Sequence, residues 1–180
     1  MKILTFAATN SSKSINKQLV QYASGKIESA HIDYVDINDF ELPIYNIDLE
    51  EKFGIPNAAH AFLKHIQQAD AVLISLAEHN GSYTVAFKNL FDWLSRIDRN
   101  VYGNKPVLLL ATSPGENGAI TVLKQANDAV PYFGGQVVGS LSIPSFYENF
   151  DSESKQLNNE SLDSQLDNLL NQLVLNLQYS

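Results

Sequence analysis

Hydroxyl side chains crowd a short loop near the start of the chain. The loop follows an apolar run, residues 3–8, and precedes a helical pattern that begins at Ile15. It contains four hydroxyls within six positions, namely Thr9, Ser11, Ser12 and Ser14. A helix N-terminus favours an anion through its free N–H groups, whereas an ordinary N-cap needs only one hydroxyl. The surplus hydroxyls, with Lys13 and the amide of Asn16 beside them, predict a phosphate-binding loop.

The composition of this loop narrows the kind of phosphate. Residues 8–15 contain no glycine, so neither a Walker A loop nor a glycine-rich dinucleotide fingerprint is present. Hydroxyls and backbone amides suit a terminal phosphomonoester, because a pyrophosphate requires a closer approach of the backbone. The loop therefore predicts a ligand with a single terminal phosphate.

A second polar loop, residues 77–84, follows another apolar run. Its Asn80-Gly81 pair is a strong turn signal, with aromatic side chains on either side. Two interpretations fit equally well. The loop forms a wall beside a planar ligand, or it is a polar turn in which Ser82 or Thr84 caps the next helix.

A third loop, residues 112–119, carries two glycines. Gly115 and Gly118 permit positive φ angles and a close approach of a ligand to the backbone. Taken alone, this loop is better interpreted as an ordinary entry into a helix.

The three loops lie between apolar segments, predicted to be strands, and segments with a helical pattern. The predicted strands are residues 2–8, 31–37, 71–77, 106–111 and 136–143. Helical stripes lie between and after them, and residues 38–56 are predicted to be a long connection. This order predicts an α/β fold over residues 1–180, with a doubly wound five-stranded parallel sheet and helices on both faces. Ligands bind at the carboxyl ends of such strands, where the three loops should meet.

Composition excludes several classes of function. The net charge of −8 disfavours nucleic-acid binding, and the absence of cysteine excludes disulfides and thiolate catalysis. No apolar run approaches the roughly 18 residues of a membrane span. No signal peptide is recognisable at the N-terminus, so we expect a cytoplasmic protein without membrane or nucleic-acid partners.

Together the three loops resemble those of the flavodoxin-like NAD(P)H-dependent FMN reductases, which include quinone, azo-dye and chromate reductases. The family's G-S-x-R-x-x-S-x-N is matched at Ser14 and Asn16, with Thr9 as a close replacement. Further matching segments are Leu42-Pro43-Ile44-Tyr45-Asn46, Glu78-His79-Asn80, Lys88-Asn89, Asp92-Trp93, Ser113-Pro114-Gly115 and Gly118-Ala119. The departures from the family pattern are Ser11 for Arg, His79 for Tyr and Ala77 for Pro.

The resemblance implies a fold, a cofactor and a reaction. The fold is flavodoxin-like, with strand order 2-1-3-4-5, and the cofactor is FMN. The reaction is a two-electron hydride transfer from NADPH or NADH to the flavin. The electrons then pass to a quinone, flavin, azo, nitro or metal-ion acceptor. The alternative is an FMN-binding electron carrier without nicotinamide-dependent activity, while a phosphoester hydrolase lacks a nucleophile motif.

The resemblance also implies which residues bind FMN. The phosphate would contact the first loop, the isoalloxazine the second, and the third would close the pocket. The implied residues are Thr9, Ser11, Ser12, Ser14, Ile15, Asn16, Glu78, His79, Asn80, Gly81, Ser82, Ser113, Pro114, Gly115 and Gly118. No acid, base or metal ligand is named among them.

A charged ladder on one helix suggests where subunits could meet. Lys88, Asp92 and Arg96 recur every four residues, which fits either a solvated ladder or a subunit contact. Phe91 and Trp93 flank the ladder and would serve as interface anchors. The family resemblance implies a homodimer or homotetramer.

Overall fold

Five parallel strands form the central sheet of the structure, a computed structural model that describes residues 1–178. The strands are β1 (Lys2–Ala8), β2 (His31–Tyr34), β3 (Ala71–Leu76), β4 (Pro106–Thr112) and β5 (Gln136–Ile143). Their spatial order is β2-β1-β3-β4-β5, so the flavodoxin-like order 2-1-3-4-5 is confirmed.

Helices cover both faces of this sheet. They are α1 (Ile15–Gly25), α2 (Ile47–Phe53), α3 (Asn57–Gln68), α4 (Val85–Ile97), α5 (Ile120–Ala129), α6 (Phe146–Asn149) and α7 (Glu160–Gln178). Alternate residues of the strands point to opposite faces. Leu4 and Phe6 therefore pack in the core with α3, α4 and α5, while Ile3 and Ala7 pack with α1 and α7.

The connection predicted over residues 38–56 contains more structure than expected. Residues Ile37–Asp39 form a short 3-10 helix, and Asn46 caps α2 by accepting a hydrogen bond from Asp48 N–H. Helix α2 has no buried residue, so it carries no apolar stripe that a sequence pattern could reveal. The second strand ends at Tyr34 rather than at residue 37, because Asp36 caps the 3-10 helix.

Two further boundaries differ from the sequence pattern. The helical stripe between the fourth and fifth strands runs from Ala119 to Phe133 in the sequence, but the α-helix ends at Ala129. Val130–Phe133, which includes Pro131, forms a tighter 3-10 turn. After β5, α6 leads into a small hairpin of Phe150–Asp151 and Gln156–Leu157. Among residues 1–178, no helix is both long and apolar enough to cross a membrane.

The second loop forms a two-stranded hairpin of Glu78–His79 and Ser82–Tyr83. Its turn residues Asn80 and Gly81 both have positive φ, 52° and 75°. Asparagine and glycine are the residues that adopt this conformation most readily in two-residue hairpin turns. The turn signal read from the sequence is therefore confirmed.

We predict opposite effects for one substitution at two glycines. Gly81→Ala should lower the free energy of unfolding by about 1 kcal/mol, because an L-residue at positive φ is strained. Gly25→Ala should raise it by about 0.5 kcal/mol, because alanine is the better helix former. Gly25 ends α1 without a positive φ, and an added Cβ there would meet no atom within 4 Å. Urea unfolding measures both, and equal effects would contradict the assignment of the turn.

Candidate functional site

The three polar loops meet at the carboxyl ends of β1, β3 and β4. They line an open cavity of about 250 Å³. The cavity is lined by Thr9, Ser11, Lys13, Ser14, Ile15, Asn16, Ala77, Glu78, His79, Thr112, Ser113, Pro114 and Tyr147. The structure thus brings residues of all three predicted loops to one site.

Backbone N–H groups of the first loop are available to a ligand. The N–H groups of Ser12, Lys13 and Ile15 form no hydrogen bond among the described residues, although Ser11 N–H donates to Thr9 Oγ1 at 3.2 Å. These groups surround the N-terminus of α1, where the helix dipole adds positive potential. The first loop is therefore a cradle of unpaired donors.

Two buried hydroxyls add to this cradle. Thr9 and Ser14 are 1% and 8% exposed, and each hydroxyl oxygen accepts one backbone N–H. Ser14 caps α1 by accepting from Asn16 N–H at 3.1 Å. Neither hydroxyl donates to an acceptor within residues 1–178, so each retains a hydrogen for a ligand. The Lys13 ammonium lines the same cavity, and no described carboxylate lies within 4.0 Å of it.

The side chain of Asn16 joins the first loop to the strands. Its Oδ1 accepts from Thr112 N–H at 3.1 Å and from the Ser75 hydroxyl at 2.8 Å. Its Nδ2 donates to Thr112 O at 3.1 Å. The sequence interpretation treated this amide as a ligand for a phosphate. In the structure, most of its hydrogen-bonding capacity connects α1 with the ends of β3 and β4.

Two more hydrogen bonds link the remaining pairs of loops. Thr84 caps α4 and donates its hydroxyl to Ala8 O at 3.0 Å, which ties the second loop to the first. The Glu78 carboxylate accepts from Val122 N–H at 2.8 Å, which ties the second loop to the start of α5. Glu78 is therefore a structural acceptor that holds the second loop. Of the two hydroxyls considered as a helix cap, Thr84 is the one used.

Several predicted cofactor residues do not line the cavity. They are Ser12, Asn80, Gly81, Ser82, Gly115 and Gly118. The Ser82 hydroxyl instead donates to Gln125 Oε1 at 3.1 Å, and Asn80-Gly81 forms the hairpin turn. Gly118 has the expected positive φ, but a Cβ there would lie 2.3 Å from Ser142 Oγ. The missing side chain of Gly118 therefore lets the backbone pack against the end of β5 rather than against a ligand. Gly115, in contrast, does not have a positive φ.

Tyr147 is a lining residue that the sequence interpretation missed. It lies on α6, after the last strand, and is 67% exposed. The backbone holds α6 against the third loop, because Phe146 N–H donates to Ser113 O at 3.1 Å and Ser145 N–H to Gly115 O at 2.9 Å. No local sequence signal could have placed this tyrosine at the site.

Sheet order and site position together define a flavodoxin-like α/β protein with a polar site at the carboxyl ends of its strands. Residues 1–148 match the family described as NADPH-dependent FMN reductase. The chain belongs to this family.

Individual relatives agree with this assignment. The chain is 37% identical over 120 residues to a 2-hydroxy-1,4-benzoquinone reductase of Burkholderia sp, covering 66% of this chain and 63% of that protein. It is 36% identical over 92 residues to an NADPH:quinone oxidoreductase of Arabidopsis thaliana, covering 51% of this chain and 45% of that protein. The chain thus spans less than half the length of that curated relative.

A solved structure shares the fold over nearly the whole chain. It is FerB, a flavoenzyme NAD(P)H:(acceptor) oxidoreductase from Paracoccus denitrificans, with a TM-score of 0.73 and 22% identity. The superposition covers 96% of both chains. Within residues 1–178, no cluster of three or more His, Asp or Glu side chains is placed to hold a metal ion.

The Asn16 contacts predict a graded loss of stability. Ser75→Ala removes one hydrogen bond and should lower the free energy of unfolding by about 1 kcal/mol. Asn16→Ala removes three and leaves the Thr112 backbone groups unpaired, so a loss of about 3 kcal/mol is expected. Asn10→Ala, at an exposed position of the same loop, should stay within about 0.5 kcal/mol of wild type. If Asn16→Ala and Asn10→Ala had equal effects in urea unfolding, the amide would not be holding the loops.

Proposed function

We propose that this chain is an NAD(P)H-dependent, FMN-containing oxidoreductase that passes two electrons to a small-molecule acceptor. The observation that carries the proposal is the cradle of unpaired N–H groups at residues 12, 13 and 15, joined by the free hydroxyl hydrogens of Thr9 and Ser14. Family membership supports FMN as the ligand and NADPH or NADH as the donor.

The residues of the cradle fit the phosphate of FMN. A phosphomonoester presents three acceptor oxygens and a charge near −2, which match several N–H donors, two hydroxyls and the dipole of α1. Lys13 supplies a positive charge beside Ser11, which replaces the family's arginine. The absence of glycine matters less for a monoester, because its oxygens protrude toward the donors.

The other loops suit the flat ring system. Ala77, Glu78 and His79 line one part of the cavity, and Ser113 and Pro114 line another. When bound, FMN supplies the redox chemistry between a nicotinamide and an acceptor. The chain's own part is to bind the phosphate, hold the three loops at fixed spacing and leave one side open for the substrates. The quinone reductase names of relatives favour a quinone as the acceptor over azo, nitro or metal-ion compounds.

Anaerobic spectroscopy tests the reductase assignment. We expect the FMN-loaded protein to lose its oxidised flavin absorbance when NADPH or NADH is added, and to regain it when a quinone follows. A flavin that stays oxidised with both donors, yet accepts electrons from a separate reductase, would overturn this assignment in favour of an electron carrier.

Ser14→Asp should separate phosphate recognition from ring recognition. Aspartate is as good an N-cap as serine, so α1 should remain intact. Its charge, however, would oppose the phosphate at the point where the serine hydroxyl donates. We predict that the affinity for FMN falls at least about tenfold, a change of about 1.4 kcal/mol, while that for riboflavin is unchanged. Flavin fluorescence quenching measures both ligands, and an equal loss for both would contradict the phosphate assignment.

We also propose that residues 1–180 act as one FMN-binding domain and that the protein is cytoplasmic, where nicotinamide donors are available. Its subunits are proposed to pair as a homodimer. The support is an exposed apolar surface at the start of α4, where Ile44 and Val85 are 65% and 69% exposed and line one shallow depression.

The residues first considered as interface anchors do not fit that role. Trp93 is 1% exposed and donates its Nε1–H to Pro43 O at 2.8 Å, so it belongs to the core. Phe91 packs edge-on to Phe133, with ring centroids 4.7 Å apart. The charged ladder is also divided, because Arg96 pairs with Glu50 and not with Asp92. Ile44 and Val85 replace these aromatics as the proposed contact.

Val85→Glu tests the proposed contact. A buried, unpaired carboxylate is costly, so this substitution should weaken the dimer and raise the monomer fraction in sedimentation equilibrium. Leu175→Glu, at an apolar position on α7 that is 49% exposed, is the matched control and should leave the dimer intact. A monomeric wild-type protein would overturn the proposal, and a tetramer that both variants leave intact would place the contact elsewhere.

A further inference from the structure

A second cavity, of about 200 Å³, lies between α4, α5 and the hairpin of residues 78–83. It shares no lining residue with the cradle cavity. Five of its eleven lining residues are aromatic, namely Tyr83, Phe87, Phe91, Tyr102 and Phe133. Nothing in the proposed reaction uses this cavity, although Tyr83, Lys88 and Asp92 line both it and the depression of the proposed dimer contact.

The aromatic wall is a continuous packed chain of rings. Ring centroids lie 5.3 Å apart for Tyr83 and Phe87, 5.9 Å for Phe91 and Tyr102, and 4.7 Å for Phe91 and Phe133. Such offset and edge-on contacts leave ring faces and edges for one more ring to pack against. The wall therefore suits a flat aromatic guest.

Tyr102 contributes a hydroxyl to this wall that pairs with no protein group in the described part of the chain. Tyr102 is only 3% exposed, and its hydroxyl has no hydrogen-bond partner within residues 1–178. The Tyr102 oxygen remains accessible from the cavity. Within residues 1–178, the side-chain oxygen that is both fully buried and without a partner is Thr5 Oγ1. An acceptor atom in the cavity could therefore take the hydrogen of this hydroxyl.

Tyr83 presents a second hydroxyl at the same cavity, and it too has no partner among the residues that the structure describes. Burial raises the pKa of Tyr83 to about 12, and burial raises the pKa of Tyr102 as well. Both hydroxyls therefore stay protonated at neutral pH and act as donors. At the rim, Lys88 Nζ pairs with Asp92 at 2.6 Å, so the charges there cancel and favour a neutral guest.

We propose that this cavity binds a neutral, single-ring aromatic molecule whose oxygen accepts a hydrogen bond from Tyr102. The volume of the cavity fits such a molecule. An engineered apolar cavity of about 150 Å³ binds benzene, and the larger volume here leaves room for a carbonyl substituent. The proposal does not rest on the proposed reductase activity, because the two cavities share no lining residue.

Acetophenone is a suitable probe, and α-methylstyrene is its isostere without the acceptor oxygen. The 180-residue chain, with excess FMN present, should bind both in ligand-observed NMR titrations. Tyr102→Phe should weaken acetophenone binding about three- to tenfold, as for the loss of one neutral hydrogen bond, and leave α-methylstyrene binding unchanged. Tyr132→Phe, at a tyrosine that is 77% exposed and outside the cavity, is the matched control and should change neither.

Ala129→Leu provides an independent variant. Ala129 lies in the cavity wall on α5, so a leucine there should fill the space and abolish binding of both probes. Failure of wild type to bind either probe would overturn the proposal, as would equal acetophenone binding by Tyr102→Phe and wild type. FMN titration of the same samples distinguishes this proposal from the proposed function. A chain that binds acetophenone but not FMN would refute the proposed function and leave the aromatic site standing.

The stability of Tyr102→Phe supplies a last readout. If the hydroxyl is unpaired in the free protein, its removal should leave the free energy of unfolding unchanged or raise it. A lower free energy of unfolding would mean that water or another copy of the chain already satisfies the hydroxyl, and would overturn the proposal.

Discussion

The amide of Asn16 is the contact on which the arrangement of the candidate site depends. It stands where α1 begins and reaches the ends of two other strands. A carboxamide carries a donor and an acceptor on one plane, so it can pair with both the N–H and the carbonyl of Thr112. A hydroxyl cannot span both groups, and a carboxylate has no donor for the carbonyl. The first and third loops are thereby held in a single register.

The remaining contacts complete a triangle around the cavity. Thr84 connects the second loop to the end of β1, and Glu78 connects it to α5. Because these side chains satisfy structural partners, a different set of groups stays free among the described residues, namely the N–H groups of residues 12, 13 and 15 and the hydroxyl hydrogens of Thr9 and Ser14. A cradle held open in this way needs little ordering when a ligand binds, which conserves affinity.

The hairpin of residues 78–83 joins two cavities of different chemistry. Glu78 and His79 face the polar cradle, while Tyr83 belongs to the aromatic cavity between α4 and α5. One short element, fixed at its turn by Asn80 and Gly81, therefore shapes both walls. A guest in the aromatic cavity would touch the element that lines the cradle.

The sequence by itself determined the order of strands and helices and the position of the polar loops. Apolar periodicity is a local property, and the carboxyl ends of parallel strands must share one edge. Apolar periodicity could not reveal α2, which has no buried face, and it could not show that Trp93 is buried. Only the tertiary structure decided which predicted residues are used up in holding the loops. Asn16 finds its partner 96 residues away and Glu78 finds its partner 44 residues away, while Tyr147 arrives from beyond the last strand. Hydrogen-bond partners so distant along the chain leave no trace in local spacing, so the free donors of the cradle become visible only when the folded chain has paired the rest.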